Sequence, residues 1–166
     1  MGPVHLKPES DLRDATRSAF DSHRRQIIQL MPGSEVEHVG STAVPGALTK
    51  GDVDLLVRVS SDQFGRAVKA LGDVYSVHQP DEWTPRYASF VAPGEKDPPV
   101  GVQVAVAGSQ EDRFFGPFRD ALIADPELLA EYNALKRRLD GAEYERYTDA
   151  KAEFVERTLR ELGIEP

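Results

Sequence analysis

Val39-Gly40-Ser41-Thr42-Ala43-Val44-Pro45-Gly46, followed by Asp52-Val53-Asp54-Leu55-Leu56-Val57, is the part of the chain whose reading decides the fold. Gly40 and Ser41 end a short strand-like segment, Val36 to Val39. Glycine permits a tight backbone turn, and Ser41 adds a hydroxyl and a backbone N–H that suit an anion. The second stretch alternates and then becomes wholly apolar, the pattern of a central strand covered on both faces. Side chains alternate along a strand, so Asp52 and Asp54 are expected to point the same way. Two carboxylates on one face repel, and a divalent cation such as Mg²⁺, which takes hard oxygen ligands, relieves the repulsion. The plainer alternative is a pair of aspartates that cap a strand start or meet solvent.

Working outward, Met1 to Pro8 reads as an irregular lead-in. A helix is expected from Ser10, with Ser10 or Asp11 as N-cap. It carries Leu12, Ala15, Ala19, Phe20, His23 and Ile27 at helical spacing and stops at Pro32-Gly33. After the Asp-x-Asp strand, Ser60-Ser61-Asp62 caps a helix that runs to Leu71 and is closed by Gly72. Val74 to His78 and Glu82 to Val91 read as strands, and Pro93 to Pro99 as a loop rich in breakers. Val100 to Ala107 follows as a strand, with Val102, Val104 and Val106 on one face and Gly101, Gln103 and Ala105 on the other. The last third is helical. Ser109-x-x-Asp112 imitates a capping box, Asp125-Pro126 starts a second helix, and Gly141 separates it from a third, Tyr144 to Leu162. The order predicts an α+β fold with a mixed β-sheet of about four or five strands, the Val36 and Asp52 strands adjacent, and packed helices. One domain is expected over 1–166, with the sheet and its helices in 10–108 and C-terminal helices in 109–163.

The chain has 166 residues, enough for one substantial core. Its net charge of −8 and pI near 5.0 argue against generic nucleic-acid binding through a basic surface, though not against a small basic pocket. There is no cysteine, hence no disulfide and no thiolate metal site. No apolar run approaches membrane-spanning length and the N-terminus has no apolar signal-like region, so a cytoplasmic protein without a membrane partner is the expectation.

The Gly-Ser turn with an Asp-x-Asp strand behind it resembles the signature of the nucleotidyltransferase superfamily. The fuller string, Glu37-His38-Val39-Gly40-Ser41-Thr42-Ala43-Val44-Pro45-Gly46 with Lys50 and Asp54, resembles the GrpB family within it. Phe118-Arg119-Asp120, Tyr132-x-x-Leu135-Lys136 and Tyr147-x-x-x-Lys151 resemble the family's C-terminal pattern, so the likeness runs roughly from the first helix to the last. The resemblance implies a nucleotidyltransferase-like sheet and a short helix or turn after Ser41 under bound phosphates. It also implies Mg²⁺ on Asp52 and Asp54, which serve as the catalytic pair. The family it resembles often has Lys-Pro-Ile-Ile-Asp at 50–54, which matches Asp54 and not Asp52; Asp52-x-Asp54 is closer to the wider superfamily. Active superfamily enzymes commonly add a third carboxylate from a neighbouring strand. Val100 to Ala107 has none, and the family's His-x-His falls on Gly101 and Gln103.

The implied ligand is a nucleoside triphosphate or another small phosphorylated molecule. His38, Gly40, Ser41, Thr42, Lys50, Arg86 and Gln103 are the candidate contacts. Each has a plainer reading: His38 as a satisfied histidine at a strand end, Gly40-Ser41 as an ordinary turn, Lys50 as an exposed lysine. Gln103 can bind a base, a sugar or a metal-bound water, but it cannot act as a general base. Trp83 and Tyr87 are candidates to stack on a base, with core packing as the alternative. Lys136 and Lys151 read as solvated helix charges, with a pocket position as the alternative for Lys151. Three functions follow from these residues. The first is Mg²⁺-dependent nucleoside triphosphate binding with nucleotidyl transfer. The second is a non-catalytic nucleotide- or ligand-binding module. The third is an interaction domain with a vestigial pocket that works through Phe114, Phe115 and Phe118.

Overall fold

The computed structural model describes residues 1–165. Its strands are β1 (Lys7–Pro8), β2 (Glu35–Val39), β3 (Leu48–Thr49), β4 (Val53–Val59), β5 (Ser76–His78), β6 (Tyr87–Val91) and β7 (Val100–Val106). Its helices are α1 (Glu9–Leu30), α2 (Phe64–Gly72), α3 (Asp112–Ala124), α4 (Pro126–Arg138) and α5 (Tyr144–Glu161), and two 3₁₀ turns cover Ser41–Ala43 and Pro80–Glu82. The main sheet has five strands in the order β2-β4-β7-β6-β5. It is mixed: β4 and β7 are parallel, and the other neighbours are antiparallel. The expected α+β architecture and the adjacency of the Val36 and Asp52 strands are what the structure shows.

Alternation gives the sheet two unlike faces. Val53, Leu55, Val57 and Val59 of β4, with Val100, Val102 and Val104 of β7, form one aliphatic face. It is covered by Ile27 of α1 and Ala67 and Leu71 of α2. The other face carries Asp54, Leu56 and Arg58 beside Gly101, Gln103 and Ala105. Leu56 and Ala105 pack there with Val39, Tyr87 and Phe115, so α3 covers part of this face. The C-terminal helices build their own core from Leu122, Tyr132 and Phe154, closed over Val44 and Ala47.

Several local expectations shift. Met1 to Pro8 is not wholly irregular, because Lys7 and Pro8 pair antiparallel with Thr49 and Leu48. That pairing brings α1 in at Glu9, after Pro8, with no side-chain cap from Ser10 or Asp11. The Glu9 carboxylate holds Arg13 at 2.8 Å and accepts from the Gly46 N–H at 3.4 Å. Ser60 to Asp62 forms a turn ahead of α2 rather than its cap. Val74 and Tyr75 still bond back to Leu71, which shortens the next strand to Ser76–His78. The strand expected from Glu82 begins at Tyr87, since Pro85 lacks an N–H for the ladder and the 3₁₀ turn occupies Pro80–Glu82. The C-terminal signals hold at atomic level: Ser109 Oγ accepts from the Asp112 N–H at 3.3 Å, and Asp125 Oδ1 accepts from Glu127 and Leu128 at 3.0 and 3.2 Å.

Candidate functional site

The Asp54 carboxylate stands against two glycines, Gly40 and Gly101. Val39 and Gly101 are its register partners on β2 and β7. Gly40 has φ +77°, a conformation that favours glycine, and a Cβ there would overlap the Asp54 carboxylate. A Cβ on Gly101 would come within 3.1 Å of Asp54 Oδ1 and 3.3 Å of Gln103 Nε2. Both glycines therefore leave room for the acid. Gln103 Nε2 donates to Asp54 Oδ1 at 3.5 Å, while Gln103 Oε1 is buried without a partner. Burial pushes the Asp54 carboxyl up to about 6, and Lys151 nearby works against that rise.

Asp52 lies one residue before β4, and its Oδ2 pairs with Lys50 Nζ at 2.9 Å. Asp52 and Asp54 open together onto two joined lobes. The first, of about 350 Å³, is lined by Gly40, Ser41, Lys50 and Lys151, with a wall of Phe114, Phe118 and Tyr147 from the C-terminal helices. The second, of about 790 Å³, lies on the Gly101 and Gln103 side. Trp83 and Tyr87 are not on either wall. Trp83 packs on Phe90 at 5.3 Å and Tyr87 on Phe115 at 6.2 Å, so the aromatic surface facing the acids comes from α3 and α5.

His38 and Thr42 sit behind the turn. The register puts His38 beside Leu55, on the face opposite Asp54, where its ring stacks on Phe20 at 4.9 Å. Thr42 Oγ1 donates to the Asp52 carbonyl at 2.9 Å, which commits its one proton. His38 Nε2, 2.9 Å from the same hydroxyl, is therefore the donor in that contact. Burial, then Arg119, pushes His38 down to about 4, so it is neutral near pH 7. This chain ties β2 to the Asp52 backbone. Arg86 is half-exposed at the far end of β6, paired with Glu111 at 3.4 Å, and borders neither lobe.

Lys136, read as a solvated helix charge, lies elsewhere, and Lys151 takes its alternative position in the pocket. Lys136 of α4 is 1% exposed and donates to Ser41 Oγ at 2.5 Å and to the Leu48 carbonyl at 2.7 Å. Lys151 of α5 lines both lobes. A signal for both was present in the sequence: each lysine follows a tyrosine by four residues on a helix, so ring and ammonium share a face. The ammonium lies 4.3 Å from the Tyr132 centroid for Lys136 and 5.9 Å from the Tyr147 centroid for Lys151.

For a cation, the chemistry of the donor set is a partial cage. No group of three histidine, cysteine or acidic side chains fit for a metal occurs among the described residues. Two carboxylates remain, each with one oxygen already engaged. Mg²⁺ is usually held by one or two carboxylates together with phosphate oxygens, so these residues fit an ion shared with a phosphorylated ligand better than one held by protein alone.

Sheet order, turn and aspartate strand define a nucleotidyltransferase-like fold. The structure superposes with a TM-score of 0.52 on Cid1, which has RNA terminal uridylyl transferase activity, at 17% identity over 78% of this chain and 40% of that one. It superposes more fully on GrpB from Enterococcus faecalis, with a TM-score of 0.64 and 18% identity over 92% of this chain and 98% of that one. The chain belongs to the GrpB family, whose pattern, described as "GrpB protein", matches residues 10–161. A UPF0157 protein of Vibrio cholerae is 35% identical over 141 residues, 84% of this chain and 73% of that protein. Another, from Streptomyces coelicolor, is 33% identical over 141 residues, 80% and 72% of the two chains.

Proposed function

We propose that the protein binds a nucleoside triphosphate with Mg²⁺ in the cleft between β4 and the C-terminal helices, and that it binds better than it transfers. One observation carries the reading: the Gly40-Ser41 turn and the Asp52–Asp54 pair border the same cavity. In this reading the amides and hydroxyl of the turn hold phosphate oxygens, and Lys50 neutralises charge beside Asp52. The base stacks on the aromatic wall of Phe114, Phe118 and Tyr147. Mg²⁺, when bound, would screen charge developing on the phosphates. The nucleotidyltransferase-like fold and the relatives' family support the reading.

Transfer requires an acceptor hydroxyl to lose a proton, and general-base help is worth ~10²–10⁴-fold. The side chain that faces Asp54 from β7 is Gln103, which has no usable proton affinity. Binding without efficient turnover follows. Calorimetry with ATP and UTP, with and without Mg²⁺, tests this alongside turnover with candidate acceptors. Nucleotide binding that strengthens with Mg²⁺ is expected, with that Mg²⁺-dependent gain lost in Asp52→Asn and Asp54→Asn. No binding at millimolar nucleotide with Mg²⁺ overturns the pocket. Turnover at ordinary enzyme rates, unchanged in Gln103→Ala, overturns the argument about the base.

A further inference from the structure

Three lysines from separate parts of the chain converge on the Gly40-Ser41 turn and the aspartate pair. Lys50 precedes β4 and is already paired with Asp52. Lys151 of α5 lies where the two lobes join, beside Asp54. Lys136 of α4 lies directly behind the turn on Ser41 Oγ. Two cleft-lining lysines thus meet two carboxylates, with Lys136 buried behind them as a hydrogen-bond donor. Among the described residues no ion pair takes up Lys136 or Lys151. Burial, then Lys151 and Lys50, pushes Lys136 well below its ordinary range, and burial pushes Lys151 down as well. Buried positive charge is costly without a counter-charge, and Asp54 is the acid that most favours the charged form of Lys151.

The hydrogen bonds add direction. Lysine only donates, so Ser41 Oγ is an acceptor toward Lys136 and keeps its own proton for another acceptor, the adjacent Tyr132 hydroxyl or a ligand oxygen. The second bond from Lys136, to the Leu48 carbonyl, fixes the other end of the 41–48 segment. The ammonium therefore sets where Ser41 sits without itself lining the cleft.

We propose that these lysines make the cleft a polyphosphate site complete without a metal ion, with Lys50 and Lys151 contacting the anion and Lys136 positioning Ser41. The inference rests on the cleft assigned under the proposed function, and it adds that the ligand's phosphate chain is held by the protein's own cations.

Calorimetry with inorganic tripolyphosphate in EDTA tests it on the full chain. Wild type is expected to bind, and Lys151→Met to bind about tenfold more weakly or worse, with Lys151→Arg retaining most of the affinity. Lys136→Met fills the same space without the charge; it should weaken binding and shift the amide resonances of Gly40 and Ser41 in the free protein. Tripolyphosphate binding that needs Mg²⁺, or that Lys151→Met leaves unchanged, overturns the proposal, and neither arm depends on the Lys136 variant folding. Nucleotide binding seen only with Mg²⁺ would overturn this inference and leave the nucleotide function standing. Tripolyphosphate binding in EDTA to which a nucleoside adds nothing would do the reverse. No binding of either overturns both.

Discussion

Asp54 and His38 sit on opposite faces of neighbouring strands, and burial shifts their titrations in opposite directions. Asp54 is pushed from 3.8 to about 6, so the folded chain holds that proton more tightly than the unfolded chain. Its contribution is favourable at low pH and is lost as pH rises through the window from about 4 to about 6. His38 is pushed from 6.5 to about 4, so folding favours its neutral form, and stability is lost as pH falls through that window. The two effects oppose each other over much of the same range, and single variants separate them. Asp54→Asn is expected to be more stable than wild type above pH ~6, with the gain vanishing near pH ~4. For His38→Gln the loss relative to wild type should be largest above pH ~6.5 and shrink toward pH ~4. Urea midpoints measured across this range check both. A difference that does not vary with pH would place the group concerned in solvent.

At the scale of elements, the segment from Val44 to Thr49 has little secondary structure of its own, because β3 is only two residues long. Neighbouring helices hold it instead. Asn133 of α4 accepts from the Leu48 N–H and donates to the Gly46 carbonyl, both at 2.9 Å, while Glu9 of α1 accepts from the Gly46 N–H. One buried amide thus satisfies two backbone groups that no strand or helix serves. Asn133→Ala would leave both without that partner, at a cost of about 2 kcal/mol. Chemical denaturation should show that loss, and hydrogen exchange at Leu48 should accelerate more than exchange in β4. An unchanged Leu48 rate would mean that Asn133 does not hold the segment. The functional consequence is direct, since this segment connects the Gly-Ser turn to the aspartates.

Across the whole molecule, the two faces of the sheet are joined to their helices by different forces. The α1 and α2 side is aliphatic packing. On the α3 side, charge carries much of the junction: Arg58 of β4 holds Glu37 at 2.7 Å and Asp112 at 2.5 Å, and Arg119 of α3 reaches Glu37 at 3.1 Å and the His38 carbonyl at 2.9 Å. The Arg58 side chain is 16% exposed, so its loss leaves partly buried carboxylates without their closest cation. Arg58→Met is expected to cost about 3 kcal/mol, with α3 amides exchanging faster than those of α1. Equal acceleration in both helices would mean that the sheet, not the junction, had been loosened. Because α3 supplies the aromatic wall of the cleft, ligand affinity should fall with the same substitution.

Short-range physics made much of this chain legible in its sequence. The alternation through Asp52 to Val59, the Asp125-Pro126 helix start, the Ser109 cap and the Gly40 turn each depend on a few neighbouring residues. The α+β fold and the Gly-Ser turn beside an acid strand could therefore be read directly. Which residues meet in the cleft is set by pairings distant in sequence. Antiparallel register between β2 and β4 turns His38 away from Asp54, and parallel register between β4 and β7 turns Gln103 toward it. A lysine on an amphipathic helix looks solvated until another layer closes over it. Lys136 became a buried lysine only because α4 packs on the 41–48 segment, which contacts α1 from another side. Side-chain period and capping are decided within a turn or a strand, whereas burial and facing are decided by the partner element, which the local sequence does not name.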